Sequence, residues 1–135
     1  MENRANKLAE DWALQKSFEA RMAFLVKLGR TLAPLAAEDK TGENEVRGCE
    51  SRTWLKVELK QGRLALAGDS EARIVKGLMA LLLSPYQGQS PQQARGFDAR
   101  SWFAELGLSQ YLSPSRASGL AAMLDRLEER LDELS

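Results

Sequence analysis

The chain has no histidine and only one cysteine among its 135 residues. Without an imidazole it cannot build a Ser–His or Cys–His nucleophile pair, and it has no histidine to offer a metal. A single thiol cannot close an internal disulfide, complete a tetrahedral zinc site or hold an iron–sulfur cluster unaided. Net charge is missing as well, because 19 Lys and Arg balance 19 Asp and Glu. That balance removes the strongest electrostatic argument for a nucleic acid or an anionic membrane as partner. Long hydrophobic runs are absent. The longest, Leu78 to Leu83, falls far short of the ~20 residues that span a bilayer. The opening MENRANKLAEDW is too polar for the apolar core of a secretory signal. The expected setting is a reducing cytoplasm, where a lone thiol stays free.

What is present suggests one domain over residues 1–135, since this length is a common size for a single core. A chain of about 150 residues buries about two-thirds of its unfolded surface, enough to dispense with a disulfide or metal. The segment EDKTGENE has no hydrophobic period and reads as a solvated loop. Before it, Leu14, Phe18, Met22, Leu25 and Val26 share a helical face, with Gly29 as a C-terminal cap. After it the period becomes two. Thr53, Leu55, Val57 and Leu59 alternate with polar neighbours as in a half-buried strand. Gln61-Gly62 turns the chain, and Arg63 to Ala67 returns antiparallel. Val46 and Arg47 could add a short third strand.

Asp69 or Ser70 is expected to cap a helix from Glu71 to Leu83, whose apolar second half marks it as buried. Ser90-Pro91, Asp98 and Ser113-Pro114 each open a further helix with an N-cap. The last helix carries the stripe Leu120, Leu124, Leu127, Leu131. Glu128, Glu129, Asp132 and Glu133 crowd the negative end of its dipole, a mildly unfavourable placement. The fold class is α+β, a small antiparallel sheet with helices packed on one face.

Any covalent chemistry falls to Cys49. It sits in Glu45-Val46-Arg47-Gly48-Cys49-Glu50-Ser51-Arg52, a polar, glycine-containing stretch at the entrance of a strand. Free cysteines are commonly buried as small hydrophobes, and a packing thiol is the plain alternative here. A loop position favours function. Arg47 and Arg52 would favour the thiolate, while Glu50 opposes it. A thiolate with no histidine base can still attack a sulfur already bonded to another sulfur, where neither a metal nor a general base is essential. That chemistry suits a sulfur carrier. It suits equally a stand-alone redox sensor or enzyme working through a sulfenic acid, although this chain supplies no resolving thiol.

Three ordered segments resemble the SufE family of sulfur acceptors. They are Val46-Arg47-Gly48-Cys49-Glu50-Ser51 with Trp54-Leu55, Gly68 to Leu78, and Leu112-Ser113-Pro114-Ser115-Arg116-Ala117-Ser118-Gly119-Leu120. The resemblance implies a fold shared with the iron–sulfur scaffold IscU. It implies a partner too, a pyridoxal-phosphate cysteine desulfurase of the SufS or CsdA type. The SufE-like protein would accept persulfide sulfur on Cys49, stimulate the desulfurase and deliver sulfur to an iron–sulfur scaffold. It would not turn over a substrate alone and would hold no cofactor of its own.

Other residues have two readings each. Gly48 would give the cysteine loop its freedom. Arg116, a cation in the first turn of a helix, is either a partner contact or loop support, or else a surface ion pair. Glu71 is a candidate partner contact. Trp54, on the polar face of its strand, either roofs a shelter for the persulfide or packs under a helix or loop, as large aromatics tend to.

Overall fold

The structure, a computed structural model, describes residues 1–134. Strands β1 (Thr53–Lys60) and β2 (Arg63–Ser70) form a two-stranded antiparallel sheet. Gln61 and Gly62 turn between them at φ 54° and 77°, the left-handed pair that a tight, twisted hairpin needs. The register runs from Thr53 opposite Ser70 to Lys60 opposite Arg63. Alternation then sends Leu55, Val57, Leu64 and Leu66 to one face. There they meet Met79 and Leu82 of α3 (Arg73–Leu83) and Met123, Leu124 and Leu127 of α6 (Pro114–Glu133). The α+β architecture is as expected from the sequence.

A second core holds a helix not expected from the sequence pattern. In α1 (Glu2–Ala13) the buried residues are Ala5, Leu8 and Trp12, a helical stripe within a polar segment. Two indoles knit it to α5 (Ala99–Glu105) and the turn beyond. Trp12 Nε1 donates to the Leu106 carbonyl at 2.8 Å, and Trp102 Nε1 donates to the Ala5 carbonyl at 3.1 Å.

The expected stripe from Leu14 to Val26 is broken. Ser17 caps a new helix, α2 (Phe18–Gly29), by accepting the Ala20 N–H. Leu14 and Phe18 therefore lie at the turn between α1 and α2, 68% and 60% exposed, and of the stripe only Leu25 is fully buried. Gly29 is not a left-handed cap. It is the last residue of α2, and its missing side chain lets the backbone of α3 come close at Gly77.

Two further expectations are corrected. Val46 and Arg47 add no strand. The pairing is a single bridge of Glu45 with Trp54, flanked by Val46 N–H to Thr53 O and Leu55 N–H to Asn44 O, both 2.8 Å. Arg47 already lies in the turn that follows. Nor do Asp69 and Ser70 cap α3. The strand runs through Ser70, and the helix begins at Arg73 with Ala72 as a cap without a side-chain bond. Asp69 is held opposite Trp54, its carboxylate taken by Lys40 at 2.8 Å and Lys76 at 3.5 Å. The Ser70 hydroxyl lies 3.0 Å from that of Thr53 and accepts the Ala72 N–H at 3.2 Å.

The remaining helix starts agree with the sequence. Ser90 and Gln93 form a reciprocal capping box on α4 (Pro91–Arg95), Asp98 accepts the Ser101 N–H, and Ser113 accepts the Arg116 N–H. At the end of α6, guanidinium groups offset the crowded acids: Arg100 faces Glu128, Arg126 faces Glu129 and Arg130 faces Glu133. Gln87 covers the outer edge of β2 as a strand would. Its amide oxygen accepts the Leu66 N–H at 2.7 Å, and its amide nitrogen donates to the Leu66 carbonyl at 3.2 Å. Among the described residues no helix is long and apolar enough to cross a membrane.

Candidate functional site: a half-buried thiol at a loop tip

The bridge of Glu45 with Trp54 and the Val46–Thr53 bond close the base of a short loop. Cys49 sits at its tip, directly after Gly48, whose φ of 97° is left-handed and favours glycine. A Cβ at Gly48 would also come within 3.3 Å of Ala122 on α6. Both constraints aim Cys49 at the start of α6. Its thiol is half-buried and donates a long bond to the Gly119 carbonyl, 3.6 Å away.

Beside the thiol is a cavity of about 160 Å³. Val75 and Leu78 of α3 with Leu120 and Met123 of α6 give it apolar walls. Ser113, Ser115 and Arg116 form its polar rim at the start of α6. Burial pushes the Cys49 thiol above its ordinary value, and a bond to the Thr53 hydroxyl opposes the rise. Desolvation disfavours the charged form, so the retracted cysteine is held mainly as the thiol. Neither nearby arginine reverses this. Arg52 turns away to Glu45 at 3.4 Å and lies over the Trp54 ring, and Arg47 is exposed beside a separate acidic recess.

The structure brings Cys49 and Arg116 to one cavity but leaves Glu71 outside it. Glu71 is exposed, and its N–H donates to the Arg52 carbonyl at 3.0 Å, tying the base of the cysteine loop to the segment before α3. The Arg116 side chain is exposed and has no ion pair among the described residues, so the surface-pair reading does not hold. Trp54 roofs nothing at the cysteine. It is buried between Lys40 and Arg52, whose charged groups lie 5.2 and 5.0 Å from the ring centre.

Gly119 went unnoticed as a site residue. A glycine inside an apolar helical stripe costs about 1 kcal/mol relative to alanine, a signal of close approach at that point. A larger cavity, about 430 Å³ between α5 and α6, lies across Leu120 from the thiol. Its polar lining is Ser109 and one charged residue, Arg100, which is engaged by Asp125 at 2.9 Å and Glu128 at 3.5 Å. Among the described residues no three acidic or thiol groups converge as a metal site.

The fold and site define a small α+β protein with a single thiol, set on a loop beside a recess with apolar walls and a polar rim. Comparison with known proteins gives the lineage. The chain belongs to the SufE family: the profile described as "SufE: Fe-S metabolism associated domain" matches residues 6–131. The fold is similar to the solution structure of a hypothetical protein from Thermus thermophilus. That likeness has a TM-score of 0.79 at 20% identity and covers 96% of this chain and 94% of the other.

Proposed function

We propose that this protein is a sulfur carrier that accepts persulfide sulfur from a cysteine desulfurase onto Cys49, stimulates that enzyme, and passes the sulfur on for iron–sulfur cluster assembly. The supporting observation is the position of the only thiol, at a loop tip beside a cavity with apolar walls and a polar rim, in a chain of the SufE family. The Cys49 thiolate attacks the outer sulfur of the donor persulfide. A new Sγ–S bond forms as the donor S–S bond breaks, and the donor cysteine leaves as a thiolate. The thiol proton passes to solvent, and no net oxidation occurs. Delivery repeats the step, with Cys49 now the leaving group and a thiol of the downstream scaffold the attacker.

In the retracted position the thiol is held protonated and has limited access, so the loop tip must move outward to meet a donor. A new persulfide is nucleophilic and easily oxidised, and the cavity beside Sγ is a shelter from oxidants once the loop returns. The same burial weighs against a stand-alone redox sensor. Such sensors depend on an exposed, acidified thiol with a resolving partner.

Mass spectrometry after incubation with a SufS- or CsdA-type desulfurase and cysteine should find one added sulfur on Cys49. The Cys49→Ser protein should take none and should fail to stimulate turnover. A Cys49→Ser protein that still gained sulfur would overturn the proposal.

A further inference from the structure

We infer that Gly119, in the second turn of α6, is the positioning residue that seats Cys49 in its retracted place. This rests on the sulfur-carrier reading. Gly119 is buried directly beneath the cysteine. A Cβ at this position would come 3.2 Å from Cys49 Sγ and 3.8 Å from both Cα and Cβ of Cys49, so the atoms nearest to it all belong to the cysteine. Its carbonyl is the acceptor facing the thiol at 3.6 Å.

The two sides of this contact differ in stiffness. Gly119 belongs to a 20-residue helix whose Met123, Leu124, Leu127 and Leu131 are buried in the main core. Cys49 belongs to a loop tip following a left-handed glycine. A methyl group added at residue 119 therefore moves the cysteine and leaves the helix in place. Helices disfavour glycine in their interior, and nothing in the local sequence of α6 requires one. Contact with Cys49 is the local feature that does.

Retraction has two chemical consequences. Burial beside α6 disfavours the thiolate, and the helix limits approach of a donor; the charged groups at the same cavity, Glu50 on the cysteine's own loop and Arg116 on α6, stay as they are. Displacing the thiol by a few tenths of an ångström weakens both. Seated this way, Cys49 reacts more slowly with small polysulfides and alkylating agents than it would with a side chain at residue 119.

The test is Gly119→Ala, with alkylation of Cys49 by iodoacetamide followed across pH in the absence of any partner. Alkylation at pH 7.5 is expected to be at least threefold faster than in wild type, with its pH midpoint displaced downward. Loading from inorganic polysulfide should accelerate in parallel. Unchanged rates and midpoint in a folded variant would overturn the inference. A second measurement covers altered packing: Gly119→Ala should raise Tm more in a Cys49→Ala background than with Cys49 present. Equal shifts would mean that the methyl group does not meet the cysteine, and would also overturn it. Neither arm uses a desulfurase. If wild-type protein gained no sulfur from a desulfurase, the sulfur-carrier reading would fail while the assignment of Gly119 as the seat of Cys49 was judged separately.

Discussion

Gly29 and Gly77 face each other where α2 crosses α3, and a Cβ on Gly29 would lie 3.1 Å from the Gly77 backbone nitrogen. A Cβ on Gly77 would be worse placed, driven into the carbonyl of Leu25. The α3 helix forms the floor between the two cores and one wall of the cysteine cavity, so this crossing sets where the wall stands.

Gly77→Ala should therefore destabilise the protein although alanine is the better helix former. Overpacking against backbone costs about 1–3 kcal/mol, and helix propensity returns about 1 kcal/mol at most. Urea denaturation should show a lower midpoint at unchanged slope. A midpoint equal to wild type would mean that the helices separate without cost.

The raised Cys49 pKa has a definite sign in stability. The folded state holds the thiol proton more tightly than the unfolded state, whose ordinary value is near 9. The contribution is present in full below that value and is lost as pH rises through the folded one. Denaturation midpoints should fall above pH 9 in wild type. The fall should be smaller in Cys49→Ser, which has no proton to lose in that window.

Asp69 works in the opposite direction. Burial pushes its carboxyl up, but the Lys40 ammonium, the Ser70 N–H and the Lys76 charge together outweigh this and hold it below the ordinary carboxylate value. Its stabilisation is present at neutral pH and is lost as pH falls through that lowered value. Asp69→Asn should cost about 1 kcal/mol at pH 7, allowing for partial exposure of the group. The difference from wild type should vanish in acid, as read by denaturation at both pH values.

Arg116 is exposed, lies on the rim of the cysteine cavity and makes no ion pair among the described residues. Arg116→Ala should alter stability by no more than about 0.5 kcal/mol. It should nevertheless reduce stimulation of a desulfurase several-fold in a turnover assay. Unchanged stimulation would remove this residue from the site.

Local chemistry was legible in the sequence wherever it decides structure by itself. The Gln61-Gly62 hairpin, the caps at Ser90, Asp98 and Ser113, and the apolar half of α3 each follow from a few adjacent residues. Cys49 could be singled out because there was no other thiol to consider. At Asp69 local chemistry and the fold disagree. A good helix cap was drawn into the sheet by two lysines, Lys40 and Lys76, one of them distant in the chain. The α1 helix is a different case, since its three buried residues are diluted among charges and gain their weight only from contacts near Trp102 and Leu106.

The sequence by itself determined that this protein has one thiol and no histidine to serve it, and that a hairpin and three capped helices are among its elements. Those are properties of composition and of neighbours within a few residues. Tertiary structure alone decided that the sulfur lies against Gly119 of α6 and that both arginines beside it in sequence are turned elsewhere. The reason is physical. Desolvation and steric contact depend on distance in space, and residues 49 and 119 meet only after α3 and α6 have closed over the sheet.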